Sequence, residues 1–367
     1  MTLPRRRIGE SSLYTSVFAL GSWHTYDRMD FGDAVAMIRA AVDAGVTLFD
    51  VGVYTFPGAA PVFTDVLFSA IVRAAGIRRD EWMLSSKLWI EGFGDAGFRP
   101  QLENALFRVG QERAELVILG DLRDSTVALR DLVLDLAGLT RAGLIAAWGV
   151  NNWSAGSIRA LKEIAAAEGV DGPQIAQLKY SVARRAIPDG EPFAALWAEG
   201  LSLQASDVME GGILAGKVAP ERGIGRDPGE IRERIVAGVP AYVALAERLG
   251  VTPAQLSIAF TLTHPALATT LFGATSMEQL HGNLAALDVV DRVGAEELRT
   301  LVEPFWADRG VVDPEGPDRR AAPGARCPEP GARCGRRRRR RRRRTRAREQ
   351  EITPKQDVGS CKRPVLA

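Results

Sequence analysis

Eight short apolar runs, alternating along the chain with stretches of helical spacing, predict an α/β protein closed into a TIM (β/α)8 barrel. Two further observations narrow the class. Each run is apolar almost without interruption, as parallel strands covered on both faces must be. No G-x-G-x-x-G follows the first run, which argues against a doubly wound dinucleotide-binding sheet.

The elements follow in order. The opening "RRRIGESSLYTSVFALG" reads as a small hairpin that turns at "GESS" and closes the barrel bottom. The first four strands are "SVFALGSW" (16–23), "TLFDVG" (47–52), "WMLSSKL" (82–88) and "ELVILG" (115–120). The last four are "LIAAWGV" (144–150), "QIAQLKY" (174–180), "LSLQASDV" (201–208) and "TTLFGA" (269–274). Between them, "DAVAMIRAAVDAG" (33–45) has apolar residues at helical spacing and a terminal glycine. The same pattern recurs in 64–76, 125–143 and 154–169, with Ser125 and Ser154 as N-caps of the last two. An insertion over about 212–265 separates the last two strands and carries two more helices, "PAYVALAERLG" and "TPAQLSIAFTL".

The barrel is expected to occupy residues 1–312, and a Pro/Gly/Arg-rich tail residues 313–367. The tail has no apolar periodicity and includes nine arginines, Arg336–Arg344, so its composition predicts disorder. It holds 18 of the 47 basic residues but only 7 of the 45 acidic ones, which leaves the body with 29 basic and 38 acidic residues. A body that acidic carries no nucleic-acid footprint, and the arginine run, lacking aromatic neighbours, predicts only non-specific, salt-sensitive polyanion binding. All three cysteines, Cys327, Cys334 and Cys361, fall in the tail. The body therefore has no disulfide framework and no thiolate nucleophile, and the scattered His24, His264 and His281 argue against a metal site. No run approaches the ~18 apolar residues of a membrane helix, and "MTLPRRRIGESS" has no apolar segment behind its basic residues. The expectation is a cytoplasmic protein with no membrane association.

In a barrel of this kind chemistry sits at the C-terminal strand ends. Those ends carry Gly21-Ser22-Trp23, Asp50 with Tyr54, Lys87, Gly120-Asp121, Asn151-Asn152, Gln177 and Ser206-Asp207. Asp50, Tyr54 and Lys87 come from three adjacent ends and form a chemical unit. A Lys ammonium beside a phenol lowers its pKa, an Asp fixes the Lys, and the phenol then serves as general acid. The competing reading is a structural Asp–Lys pair on the rim with Tyr54 as packing.

Taken together, "LGSW", "GVTLFDVGVY", "SSKLW", "WGVNNWS", "QLKYS", "GGILAGK", "QLSIAF" and "FGATSMEQLHGN" resemble the aldo-keto reductase family. The similarity is greatest to its branch of voltage-gated potassium channel beta subunits and related bacterial reductases, over about residues 5–290. The resemblance implies a TIM barrel that binds NADPH across its mouth and transfers hydride to an aldehyde or ketone. It implies catalytic roles for Asp50, Tyr54 and Lys87. It assigns Asn151, Asn152 and Gln177 to the nicotinamide carboxamide, and Gly21, Ser22 and Trp23 to the nicotinamide side. It assigns Lys217 to the pyrophosphate, and Thr275, Gln279 and Asn283 to the adenosine side.

Four departures weigh against full activity. "DVGVY" spaces Asp50 and Tyr54 one residue closer than the family does. Gly120 stands where the family has a His or another polar residue that orients the substrate carbonyl. Ser206 replaces the aromatic that stacks on the nicotinamide, with Trp23 and Phe56 as alternative covers. Gly282 replaces a Glu of the adenine site. The nearest candidates for the cation that a 2′-phosphate requires are Arg222 and Arg226, in the insertion; the resemblance implies NADPH, with NADH as the alternative cofactor. Two functions therefore stand side by side: a carbonyl reductase, and a cofactor-binding barrel with little turnover that acts as a redox-sensing or regulatory subunit.

Overall fold

The computed structural model describes residues 3–54, 60–122, 126–217 and 230–316. Two short antiparallel strands, β1 (Arg5–Arg7) and β2 (Tyr14–Ser16), form the expected hairpin. Next come β3 (Phe18–Gly21), β4 (Leu48–Val51) and a two-residue antiparallel pair, β5 (Val53–Tyr54) with β6 (Val62–Phe63). The remaining strands are β7 (Met83–Leu88), β8 (Ala114–Leu119), β9 (Ile145–Asn151), β10 (Ile175–Lys179), β11 (Ser202–Ser206) and β12 (Leu267–Phe272). Strands β3, β4, β7, β8, β9, β10, β11 and β12 pair in that order, all parallel, and β12 returns to β3 to close the barrel. All eight strands expected from the sequence are present.

The helices are α1 (Phe31–Asp43), α2 (Thr64–Ala74), α3 (Arg99–Val109), α4 (Leu129–Arg141), α5 (Ala155–Glu168) and α6 (Glu191–Ala198). They continue with α7 (Glu230–Arg248), α8 (Pro253–Leu262), α9 (Met277–Leu284), α10 (Ala286–Val293) and α11 (Ala295–Leu301). Ser154 caps α5 by accepting the Ser157 N–H, as expected. The cap expected at Ser125 lies outside the described residues, and α4 instead starts at Leu129 with Ala128 in the cap position. Helix α7 begins ten residues before Pro240, where a proline-based reading starts it. Buried Ile235, Val239, Tyr242 and Leu245 continue one apolar face through the proline, so packing overrides its cost.

Alternation along the strands produces two cores. The barrel interior is filled by Ala19, Leu48, Leu116, Ile118, Ala147, Ile175 and Ala268. Ile8 of the hairpin joins this cluster. The hairpin is tied to the N-terminal ends of the strands: the Gly9 N–H donates to Ser202 Oγ (2.8 Å) and Arg6 to the Leu267 carbonyl (2.8 Å). It therefore plugs the bottom and leaves the C-terminal mouth as the open end. The second core lies between sheet and helices, with Phe49, Phe68, Trp148, Tyr180, Phe193 and Phe260 buried in it. The barrel's contacts continue past Val312. The Ala155 N–H donates to the Glu315 carbonyl (2.8 Å), and the Glu315 carboxylate takes the Gly156 N–H and pairs with Arg159 (3.1 Å) at the start of α5. Arg336–Arg344 and the three cysteines lie outside the described residues. Among the described residues no single helix is long and apolar enough to cross a membrane.

Candidate active site

On β4, Leu48 faces the barrel interior, and the period of two sends Asp50 to the same face at the mouth. Asp50 is buried, and an unpaired carboxylate there would be strongly unfavourable. Three donors satisfy it. Lys87 Nζ, from the end of β7, bonds its Oδ2, Ser85 Oγ reaches the same oxygen at 3.2 Å, and the Tyr54 hydroxyl donates to Oδ1 at 3.3 Å. Ser85 and Lys87 lie two residues apart and share one face of β7, with Asp50 opposite Ser85 in the register. Lys87 Nζ also donates to Gln177 Oε1 (2.7 Å) on β10, across the mouth. Lys87 is itself buried, so the Asp50–Lys87 pair is a buried ion pair completed by hydrogen bonds.

Tyr54 is carried by the small β5–β6 pair. Thr64, the first residue of α2, locks that pair to the barrel: its hydroxyl donates to the Gly52 carbonyl (2.6 Å) and bonds Ser22 Oγ (2.7 Å). The shorter Asp–Tyr spacing therefore still lets the phenol reach Asp50. The Tyr54 ring lies 4.4 Å from Trp23 and 6.2 Å, edge-on, from Trp89 (centroid distances). Lys87 bonds Asp50 and Gln177, and no hydrogen bond joins it to the phenol. Burial first, and then the Asp50 carboxylate, push the Tyr54 phenol well above its ordinary value.

The ends of β8, β9 and β10 supply amides and an acid. Asn151 Nδ2 donates to Asp121 Oδ1 at 2.6 Å. Asn151 and Gln177 are direct register partners on neighbouring strands, and the Asn152 N–H donates to the Gln177 carbonyl (2.9 Å). Gly120 leaves no side chain at the end of β8, and Trp89 explains why. A Cβ at Gly120 would stand 2.4 Å from the Trp89 ring, whose indole N–H donates to the Val53 carbonyl (3.1 Å). Trp89 is the residue that reading the sequence missed. The signal was available, since Trp89 and Gly120 directly follow the register partners Leu88 and Leu119, a large residue beside a small one.

The other expected site residues divide. Gly21 ends β3 opposite Asp50, and Trp23 packs on Tyr54. Ser22 is fully buried, with its hydroxyl on Thr64 and also bonded to the Tyr54 phenol. Lys217 is exposed on the loop after β11. Thr275 and Gln279 are exposed at the start of α9 and bond each other: Gln279 Oε1 accepts from the Thr275 N–H (2.9 Å) and hydroxyl (3.2 Å). Asn283 is buried on α9. No hydrogen bond among the described residues joins these four to the Asp50 group. Phe56, Arg222 and Arg226 lie outside the described residues. Among the described residues, four that are not glycine have positive φ: His24 (52°), Asn152 (55°), Asp207 (53°) and Glu210 (48°). All four lie in the segments that follow β3, β9 or β11 on the C-terminal side of the barrel.

Comparison with known proteins finds relatives that match most of the chain. The chain is 27% identical over 308 residues to a probable voltage-gated potassium channel subunit beta of Oryza sativa subsp. japonica, covering 78% of this chain and 91% of the relative. It is 25% identical over 326 residues to a putative voltage-gated potassium channel subunit beta of Schizosaccharomyces pombe (82% and 93% covered). It is 24% identical over 310 residues to a probable voltage-gated potassium channel subunit beta of Arabidopsis thaliana (78% and 91% covered). The sequence model of the Aldo/keto reductase family matches residues 18–302, from the first barrel strand to beyond the last, and the chain belongs to that family.

Proposed function

We propose that this protein reduces an aldehyde or ketone to an alcohol, with NADPH as hydride donor and Tyr54 as general acid. Family membership supports an oxidoreductase acting on carbonyls. The observation that carries the finer reading is the chain Tyr54–Asp50–Lys87–Gln177, which joins a half-buried phenol through buried Asp50 and Lys87 to a buried amide across the mouth. The residues present suit the nicotinamide end of the cofactor: Asn151 and Gln177, side by side, offer the donors and acceptors that a primary carboxamide needs. Thr275 and Gln279 suit the adenosine end, and Lys217 the pyrophosphate. Between Gly273 and Leu284 the sequence has no Lys or Arg for a 2′-phosphate, so the choice over NADH falls to Arg222 and Arg226.

When bound, the reduced nicotinamide supplies the hydride. The protein's own part is proton delivery and placement. Tyr54, with its phenol pushed up, is fully protonated at neutral pH and gives up its proton only as the carbonyl oxygen gains charge and becomes the stronger base. Asp50, held by Lys87 and Ser85, positions the hydroxyl, whose O–H must rotate from Asp50 Oδ1 to the carbonyl oxygen before the proton is transferred. Trp23 and Trp89 flank the Tyr54 ring and restrict water there.

A second reading, a cofactor-binding regulatory barrel, draws on Gly120. No side chain there orients a carbonyl, and Trp89 fills the space. The relatives named as channel subunits fit that reading too. Thermal unfolding with and without cofactor tests what both readings share. NADPH should raise the Tm and quench tryptophan fluorescence. Absence of any shift with NADPH or NADH would remove both. A shift without turnover of reactive aldehydes would select the second.

A further inference from the structure

A side-chain amide can present either its oxygen or its nitrogen, and only its neighbours decide which. The Asn151 and Gln177 amides each have a neighbour that leaves no choice. A carboxylate only accepts, and Asp121 Oδ1 takes the Asn151 Nδ2 donor at 2.6 Å. Lys87 donates only, so the Gln177 atom 2.7 Å from it is the Oε1 acceptor. Asn151 therefore has Oδ1 left to offer a ligand, and Gln177 has Nε2. The two residues are register partners on β9 and β10, at the strand spacing of about 4.8 Å.

We propose that Asp121 and Lys87 together set the polarity of this amide pair, so that the mouth presents one acceptor beside one donor and selects a ligand bearing a primary carboxamide. This deepens the cofactor reading above and rests on it. Asp121 is a positioning residue in this account. It acts through Asn151 and need not touch the ligand. The reversed amide would set Nδ2 against the NH2 of a carboxamide, donor against donor. The same logic gives Asp121, which would oppose a developing alkoxide, a function on the cofactor side.

The test compares NADP+ with its 3-acetylpyridine analogue by titration calorimetry. The acetyl group keeps the carbonyl that Gln177 Nε2 would bond and replaces the NH2 that Asn151 Oδ1 would accept from. Both groups are neutral, so a change in the charge of residue 121 does not by itself favour either probe. The wild type should prefer NADP+ by about 5–10-fold, the value of one net hydrogen bond. In Asp121→Ala the Asn151 amide is released, and the preference should fall below about twofold. Asp121→Asn keeps an acceptor oxygen and should retain most of the preference. If Asp121→Ala does not fold, Asn151→Ala removes the acceptor directly and should also abolish the preference. A preference that survives in folded Asp121→Ala or Asn151→Ala, or a wild type that binds both probes equally, overturns the proposal. A wild type that binds neither probe overturns the cofactor reading itself, and this inference with it.

Discussion

Gly120 and Trp89 decide at the residue scale what the mouth can do. The sequence leaves two readings of Gly120: a histidine restored there raises turnover, or no side chain fits. The structure favours the second, because a Cβ alone would stand 2.4 Å from the Trp89 ring. Trp89 has little freedom to move aside. Gln101 holds its backbone from both sides, with Oε1 accepting the Trp89 N–H (2.6 Å) and Nε2 donating to its carbonyl (3.1 Å). Gly120→His should therefore lower stability by about 1–3 kcal/mol, as overpacking does, without raising turnover. Removing the indole should relieve the clash, so Gly120→His should be far less destabilising in a Trp89→Ala background. A double-mutant cycle by urea unfolding measures the coupling, and strictly additive effects would contradict the packing described.

At the scale of elements, the β5–β6 pair and the start of α5 show how short segments aim the site. Thr64 pins the pair that carries Tyr54, and Glu315 closes the N-terminus of α5, just after Asn151 and Asn152. Ending the chain after Val312 would remove that carboxylate from a helix N-terminus and leave Arg159 without it. Loss of such a cap costs about 0.5–2 kcal/mol, so this truncation should lower the Tm by a few degrees, whereas ending after Gly316 should not. Equal melting temperatures for the two truncations would show that the contact contributes nothing. The same scale explains what was legible. The eight barrel strands were readable because burial on both faces leaves near-continuous apolar runs. The bottom hairpin was readable from "GESS", and α5 from Ser154. The β5–β6 pair, with two residues per strand, is too short for any periodicity. Helix α7 was cut at Pro240 because a local breaker rule cannot see the buried face formed by Ile235, Val239 and Tyr242. At the site, residue types and strand ends were enough to group Asp50, Tyr54 and Lys87. Which atom each donor chooses depends on cross-barrel geometry, and that placed Lys87 on Gln177 and not on the phenol.

Burial of tyrosine is a property of the whole molecule with a consequence for pH. Four of the five tyrosines, Tyr26, Tyr54, Tyr180 and Tyr242, have phenols pushed well above their ordinary value, burial being the largest cause in each. The unfolded chain loses these protons near pH ~10 and the folded chain holds them. Their contribution to stability is thus complete below pH ~10 and is lost as pH rises from there toward the folded-state values. Tm measured between pH 8 and 11.5 should be flat at first and then fall steeply above ~10. Tyrosinate absorbance from these four should appear only with unfolding. Ionisation of all five phenols in the folded protein near pH ~10 would contradict their burial.

Whether Tyr54 serves as the acid of a carbonyl reductase is decided by comparing the wild type with a variant that lacks only the phenol hydroxyl. NADPH oxidation by a reactive aldehyde is followed for the wild type and for Tyr54→Phe, alongside NADPH affinity. Phe keeps the ring against Trp23 and Trp89 and deletes only the hydroxyl that reaches Asp50. The account predicts a loss of about 10²-fold or more in kcat, the ordinary contribution of a general acid, with NADPH affinity unchanged within about twofold. Wild-type turnover that survives Tyr54→Phe intact would contradict it.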